Sequence, residues 1–113
     1  MTNIREHPEF YEVRTSVSIE HGLHARPCMR VVDILSEYDN SVWVTKEKDG
    51  KLDERYTDGK SIMQMMMLAA HFDTDIRFLF ARKPHQVSVP YVENFVKKLE
   101  EVLMDNTDDM FNL

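Results

Sequence analysis

The sequence predicts an α+β fold: an antiparallel sheet with helices on one face, in the order β-α-β-β-α-β-α. Segments of two-residue alternation and segments of three- and four-residue apolar spacing interleave along the chain. Polar breaks rich in Gly, Pro and Asp separate them. At 113 residues with 42% hydrophobic content, the chain suits one compact domain with a modest core.

Tyr11, Val13, Val17 and Ile19 fall at even spacing, interrupted at Thr15, and predict a strand running to about Glu20. Cys28, Val31, Val32, Leu35 and Tyr38 then recur at helical spacing. Pro27 stands in the first turn of that helix, where a missing N–H costs nothing. Ser41 to Lys46 is β-rich, and Leu52 to Tyr56 is its expected hairpin partner across Lys48-Asp49-Gly50-Lys51. After the break at Thr57 to Ser61, Ile62 to Phe72 is Met-rich and poor in β-branched residues, with Ser61 positioned as N-cap of a second helix. Ile76, Phe78 and Phe80 alternate with Arg77 and Leu79 in a strand ending near Ala81. Beyond Pro90, the spacing of Val92, Phe95, Val96, Leu99, Val102 and Leu103 predicts a third helix with Lys97 and Lys98 on its far side. From Asp105 onward the chain is acidic and aperiodic and is expected to fray.

Composition removes several classes of function. Twenty acidic residues against fourteen basic ones give a net charge of −6, and without a Lys/Arg cluster nucleic acid is not an expected partner. Neither an N-terminal apolar segment nor an apolar run of about 18 residues occurs, so the expectation is a cytoplasmic protein without membrane insertion. Cys28 is the single cysteine and reads as a small core residue.

The stretch HGLHARPC, His21 to Cys28, carries the chemistry. His24 lies just before a helix start, where first-turn amides lack helical acceptors and the dipole favours an anion such as phosphate. An unperturbed imidazole is largely neutral at pH 7, so a ring nitrogen can attack phosphorus. The planar donor fork of Arg26 suits phosphoryl oxygens. Taken as an arbitrary His-x-Arg, the same residues read first as a helix cap and a solvated cation, and spacing alone does not decide for the phosphoryl site. His21 and His24 lack a further ligand at a recognisable spacing, so no metal and no cofactor is expected. His71 and His85 belong to no motif.

GLHARP, Gly22 to Pro27, together with GKSIM, Gly59 to Met63, resembles the two signatures of the HPr phosphocarrier family. The resemblance implies an HPr-like open-faced β-sandwich, a four-stranded antiparallel sheet with three helices on one face. It spans residues 10–105, leaving 1–9 as an N-terminal extension and 106–113 as an acidic tail. It implies that His24 accepts a phosphoryl group from phosphorylated enzyme I, itself charged by phosphoenolpyruvate, and passes it to IIA domains of a sugar phosphotransferase system. Arg26 would steady the phosphoryl group, and the protein would be a carrier rather than an enzyme.

The same resemblance matches Ser61 to a serine modified by a dedicated kinase/phosphorylase in some members, and Ile62, Met63 and Met66 to a partner-docking patch. Capping already accounts for the position of Ser61; a phosphate there would add about −1.5 to −2 charges beside the patch. The methionines, taken alone, suit either an adaptable surface or an irregular core. The segments Glu47 to Asp58 and Arg82 to Pro90 are longer than usual for the family, and His71-Phe72-Asp73 lacks its frequent glycines. These departures bear on which partners fit. The alternative reading is a regulatory binding module that controls a transcription factor or enzyme through its phosphorylation state. A stand-alone hydrolase is disfavoured because no second catalytic constellation accompanies His24.

Overall fold

In the computed structural model, residues 3–19, 22–48, 51–52, 55–68 and 74–105 are described. Their elements are β1 (Ile4–Glu6), β2 (Phe10–Ser16), α1 (Ala25–Ser36), β3 (Val42–Lys48), β4 (Lys51–Leu52), β5 (Thr57–Asp58), α2 (Ile62–Met67), β6 (Asp75–Ala81) and α3 (Val89–Leu103). The strands form one antiparallel sheet in the order β1-β2-β6-β3-β4, with β5 also pairing with β3.

Alternation along the strands sorts the two sheet faces. Tyr11 and Val13 of β2, Val42 and Val44 of β3, and Ile76, Phe78 and Phe80 of β6 point into one buried cluster. The stripes of α1 (Cys28, Val31, Leu35) and α3 (Val92, Phe95, Val96, Leu99, Val102, Leu103) close over it. Tyr38, just past α1, ties the layers together: its ring packs edge-on against Phe80 and Phe95, and its hydroxyl donates to the Ala81 carbonyl at 2.7 Å. Such pairs add stabilisation beyond area burial.

The opposite face is polar and cross-linked by charge. Arg77 on β6 reaches Glu12 of β2 at 3.2 Å and Glu47 of β3 at 2.8 Å. Glu47 also accepts from Arg14, and Glu12 pairs with His7 Nε2 at 2.8 Å. Arg14 and Arg77 stand directly opposite on neighbouring strands, a like-charge pairing that would repel. The shared Glu47 carboxylate resolves it.

Four sequence expectations change here. Residues 1–9, expected as an N-terminal extension, supply an edge strand, Ile4–Glu6, with Ile4 opposite Val13 and Glu6 opposite Tyr11. Arg82 secures it, donating to the His7 carbonyl, pairing with Glu6 and lying 4.6 Å above the Tyr11 ring. This edge strand, together with the splitting of the expected hairpin partner into β4 and β5, gives the sheet six strands rather than four. The partner expected at Leu52 to Tyr56 is split: Lys51–Leu52 pairs with Lys48 and Glu47, and Thr57–Asp58 pairs with Val44 and Trp43. Between them, the Arg55 carbonyl accepts from the buried Thr45 hydroxyl at 3.1 Å instead of joining the ladder; the turn residues Asp49 and Gly50 lie outside the described residues.

The strand expected to reach Glu20 ends at Ser16. Val17 and Ile19 stay buried, but the chain leaves the ladder: the Val17 amide donates to Thr74 and the Ser18 amide to Leu103, both at 2.9 Å. Finally, α2 is shorter than Ile62 to Phe72, with Leu68 as its C-cap; positions 69–72 and Glu20 lie outside the described residues.

Candidate functional site

The site begins at a glycine. Gly22 has φ 76°, a left-handed conformation that costs a Cβ-bearing residue energy. Its amide donates to Ile19 at 2.9 Å and its carbonyl accepts from His24 at 3.0 Å, a tight reversal that buries Leu23. His24 thereby becomes the N-cap of the twelve-residue helix α1, with extended backbone (φ −87°, ψ −171°). Its carbonyl accepts the first helical hydrogen bond, from Cys28 at 3.0 Å.

Its imidazole makes no capping hydrogen bond to the helix and is half-buried, while Arg26 is exposed. Helix geometry supplies first-turn amides with no acceptor four residues back, and Ala25 and Arg26 occupy that turn. The turn contains no acidic residue, so no carboxylate within it competes with an incoming anion for the positive helix end. Pro27 and Cys28 turn inward, and the Cys28 thiol contacts the Leu23 carbonyl at 3.5 Å. Burial pushes that thiol up to about 11, consistent with a packing residue.

The second motif is held against both α1 and the sheet. A Cβ on Gly59 would lie 2.8 Å from Leu35 Cδ1 and 3.2 Å from the Val42 carbonyl oxygen. The Gly59 amide donates to that carbonyl at 2.8 Å, and Lys60 Nζ donates to the Tyr38 carbonyl at 2.6 Å. Glycine is thus required here by close approach. Ser61 caps α2, its hydroxyl accepting from the Gln64 amide at 3.3 Å. Gln64 replies by accepting from the Asp58 amide at 2.9 Å.

The helix apolar nearly all round divides into two faces. Met65 and Leu68 enter the core and Ile62 packs partly against it, whereas Met63, Met66 and Met67 are exposed. Two residues escaped sequence reasoning. Met29 is exposed on α1, one turn along from Arg26, and the only signal was its falling off the buried stripe. Asp105, where fraying is expected, pairs with Arg30 of α1 at 2.9 Å. His85 is exposed, and its backbone grips Asn40: its amide donates to Oδ1 at 2.9 Å and its carbonyl accepts from Nδ2 at 2.7 Å. His21 and His71 lie outside the described residues. Among the described residues, no helix is long and apolar enough to cross a membrane.

Comparison with known proteins finds the family model PTS-HPr, "PTS HPr component phosphorylation site", matching residues 11–98. The phosphocarrier proteins HPr of Neisseria meningitidis serogroups A and B are each 47% identical over 49 residues, covering 43% of this chain and 48% of theirs. The match thus spans about half the length of those relatives. Two solved structures share the fold. HPr-C-His from Thermoanaerobacter tengcongensis has a TM-score of 0.61 at 24% identity, over 83% of this chain and 96% of that one. A Mycoplasma histidine-containing phosphocarrier protein has a TM-score of 0.61 at 18% identity, over 83% and 92%.

Proposed function

The chain belongs to the HPr family of the phosphotransferase system, and from that premise we propose that it is a histidine phosphocarrier with His24 as the phosphoryl acceptor. It receives the group from phosphorylated enzyme I and delivers it to IIA domains of a sugar phosphotransferase system. It works in the cytoplasm as a protein substrate of larger partners rather than as an enzyme.

The observation that carries this reading is the seat of His24. It caps a helix whose first turn holds Arg26 and no carboxylate. In the transfer, a neutral ring nitrogen attacks phosphorus; the N–P bond forms as the bond to the donor group breaks. The Arg26 guanidinium and the positive helix end offset charge on the phosphoryl oxygens. Onward transfer is the same step in reverse: the partner's acceptor attacks phosphorus, the new bond to phosphorus forms as the N–P bond breaks, and His24 is left as free imidazole.

Docking falls to the exposed apolar side chains of α2. Met63 and Met66 supply it, with Ile62 contributing its uncovered part and Met29 extending the surface on α1. Ser61, already the cap of α2, is the candidate regulatory phosphorylation site for an HPr kinase/phosphorylase. A phosphate there would put negative charge beside the methionines and repel an acidic partner.

Incubation with phosphoenolpyruvate and enzyme I from the same organism, followed by intact mass, tests the proposal. The expected adduct is acid-labile and alkali-stable and disappears in His24→Ala. The regulatory alternative, favoured by the exposed methionines beside Ser61, predicts tight docking to a transcriptional regulator or enzyme without phosphoryl turnover.

A further inference from the structure

Four methionines lie within one and a half turns of α2, and their exposures differ sharply. Met63 is 73% exposed, Met66 48% and Met67 79%, while Met65 is 0% exposed. Positions 63, 66 and 67 share one helix face by their three- and four-residue spacing. Their thioethers therefore meet solvent together, while the fourth sulfur is enclosed in the core.

An exposed thioether is a target for peroxide, and its sulfoxide is polar and chiral where the parent was apolar and pliable. The usual faster target, a solvent-accessible thiolate, is missing among the described residues. Cys28 is the chain's single cysteine, fully buried, with its thiol pushed up to about 11. Oxidant reaching this protein therefore acts on methionine sulfur.

We propose that Met63, Met66 and Met67 form a reversible oxidation site through which hydrogen peroxide weakens partner docking while leaving the fold intact. This rests on the docking role given above to the α2 methionines. In each event the sulfur lone pair attacks a peroxide oxygen: the S–O bond forms, the O–O bond breaks, and the hydroxide released takes up the remaining proton as water. Sulfur loses two electrons and the peroxide gains them. Methionine sulfoxide reductases reverse the step with thiols as reductant, which are oxidised to a disulfide as the oxygen leaves as water.

Treatment of the full chain with hydrogen peroxide, followed by peptide mapping and titration with enzyme I, tests this. The expected result is sulfoxide at Met63, Met66 and Met67 with Met65 reduced, an unchanged urea midpoint, and docking weakened by about tenfold. Reductase treatment restores it. In a Met63→Leu/Met66→Leu/Met67→Leu variant, the docking measured before peroxide, whatever its strength, should be unchanged after it. Met29 and Met104 are also exposed, so loss of docking in that variant on oxidation would assign the effect elsewhere and overturn the proposal. Oxidation of Met65 as fast as its neighbours would overturn it too. If oxidised protein docks unchanged while unoxidised Met66→Glu docks poorly, the oxidation site falls and the docking reading stands. If neither change alters docking, the docking reading itself falls, taking the oxidation site with it.

Discussion

The carbonyl of His24 accepts the amide of Cys28 at 3.0 Å, joining the candidate phosphoryl acceptor to a residue fixed in the core. That bond starts α1, and Cys28 is fully buried beside Val31 and Leu35. The seat of His24 is thereby set by the hydrophobic core rather than by a surface loop. Replacing Gly22, at φ 76°, with alanine should cost about 1 kcal/mol or more in stability and slow phosphorylation of His24. Chemical denaturation and phosphorylation kinetics on one preparation read both effects.

Gly59→Ala should destabilise by roughly 1–3 kcal/mol through overpacking. Its new methyl group meets Leu35 Cδ1 at 2.8 Å, which can shift, but also the Val42 carbonyl oxygen at 3.2 Å, which is β3 backbone and accepts from the Gly59 amide itself. A urea midpoint equal to that of the parent would show that the approach of α1 to β3 is looser than described.

Met66→Glu and Met65→Glu form a paired test of the two faces of α2. The first change lies at a half-exposed site and should alter stability by about 0.5 kcal/mol or less while weakening docking to enzyme I. The second buries a carboxylate without a partner and should unfold the domain or lower its stability by several kcal/mol, on the order of 3. Thermal melts separate them, and similar losses in both would put Met66 in the core.

On the open sheet face, Arg77→Met should cost roughly 2 kcal/mol. Glu12 and Glu47 would keep buried carboxylates without their shared cation. The figure is reduced from that of a fully enclosed pair because Arg77 keeps 19% of its side-chain surface in solvent. Adding Glu47→Gln should recover part of the loss, a coupling that a double-mutant cycle measures.

Alkaline pH should erode stability in two overlapping windows. Burial pushes the Cys28 thiol up from 9.0 to about 11 and the Tyr38 hydroxyl up from 10.0 to about 12. Each raised value favours the protonated, folded form, so its contribution is complete below the ordinary value and lost as pH rises through the folded one. Urea midpoints should fall first between pH 9 and 11, then further towards pH 12. Cys28→Ala should remove the earlier part of the decline and leave the later part.

The sequence spells out this fold best where a single stripe does the packing. The residues spaced along α3 and α1 are those that the core buries, Val32 being only partly covered, and the strand at Ile76, Phe78 and Phe80 is the central β6. Legibility drops where pairing depends on distant residues. Ile4–Glu6 is too short to show a period and becomes a strand because β2 has a free edge and Arg82, far along the chain, clamps it. The partner of β3 splits because Thr45 is buried and takes the Arg55 carbonyl, which periodicity does not encode. In the site, the motif marks His24, Arg26 and Ser61, while the division of the methionines between core and surface depends on how Gly59 and Lys60 dock α2.

The central claim, that His24 carries the phosphoryl group, is tested most directly by intact mass and peptide mapping after incubation with phosphoenolpyruvate and enzyme I. One acid-labile, alkali-stable phosphoryl group is expected on His24, absent from His24→Ala and formed much more slowly in Arg26→Ala. An undiminished adduct in His24→Ala, or no adduct on the folded parent protein, would contradict that claim.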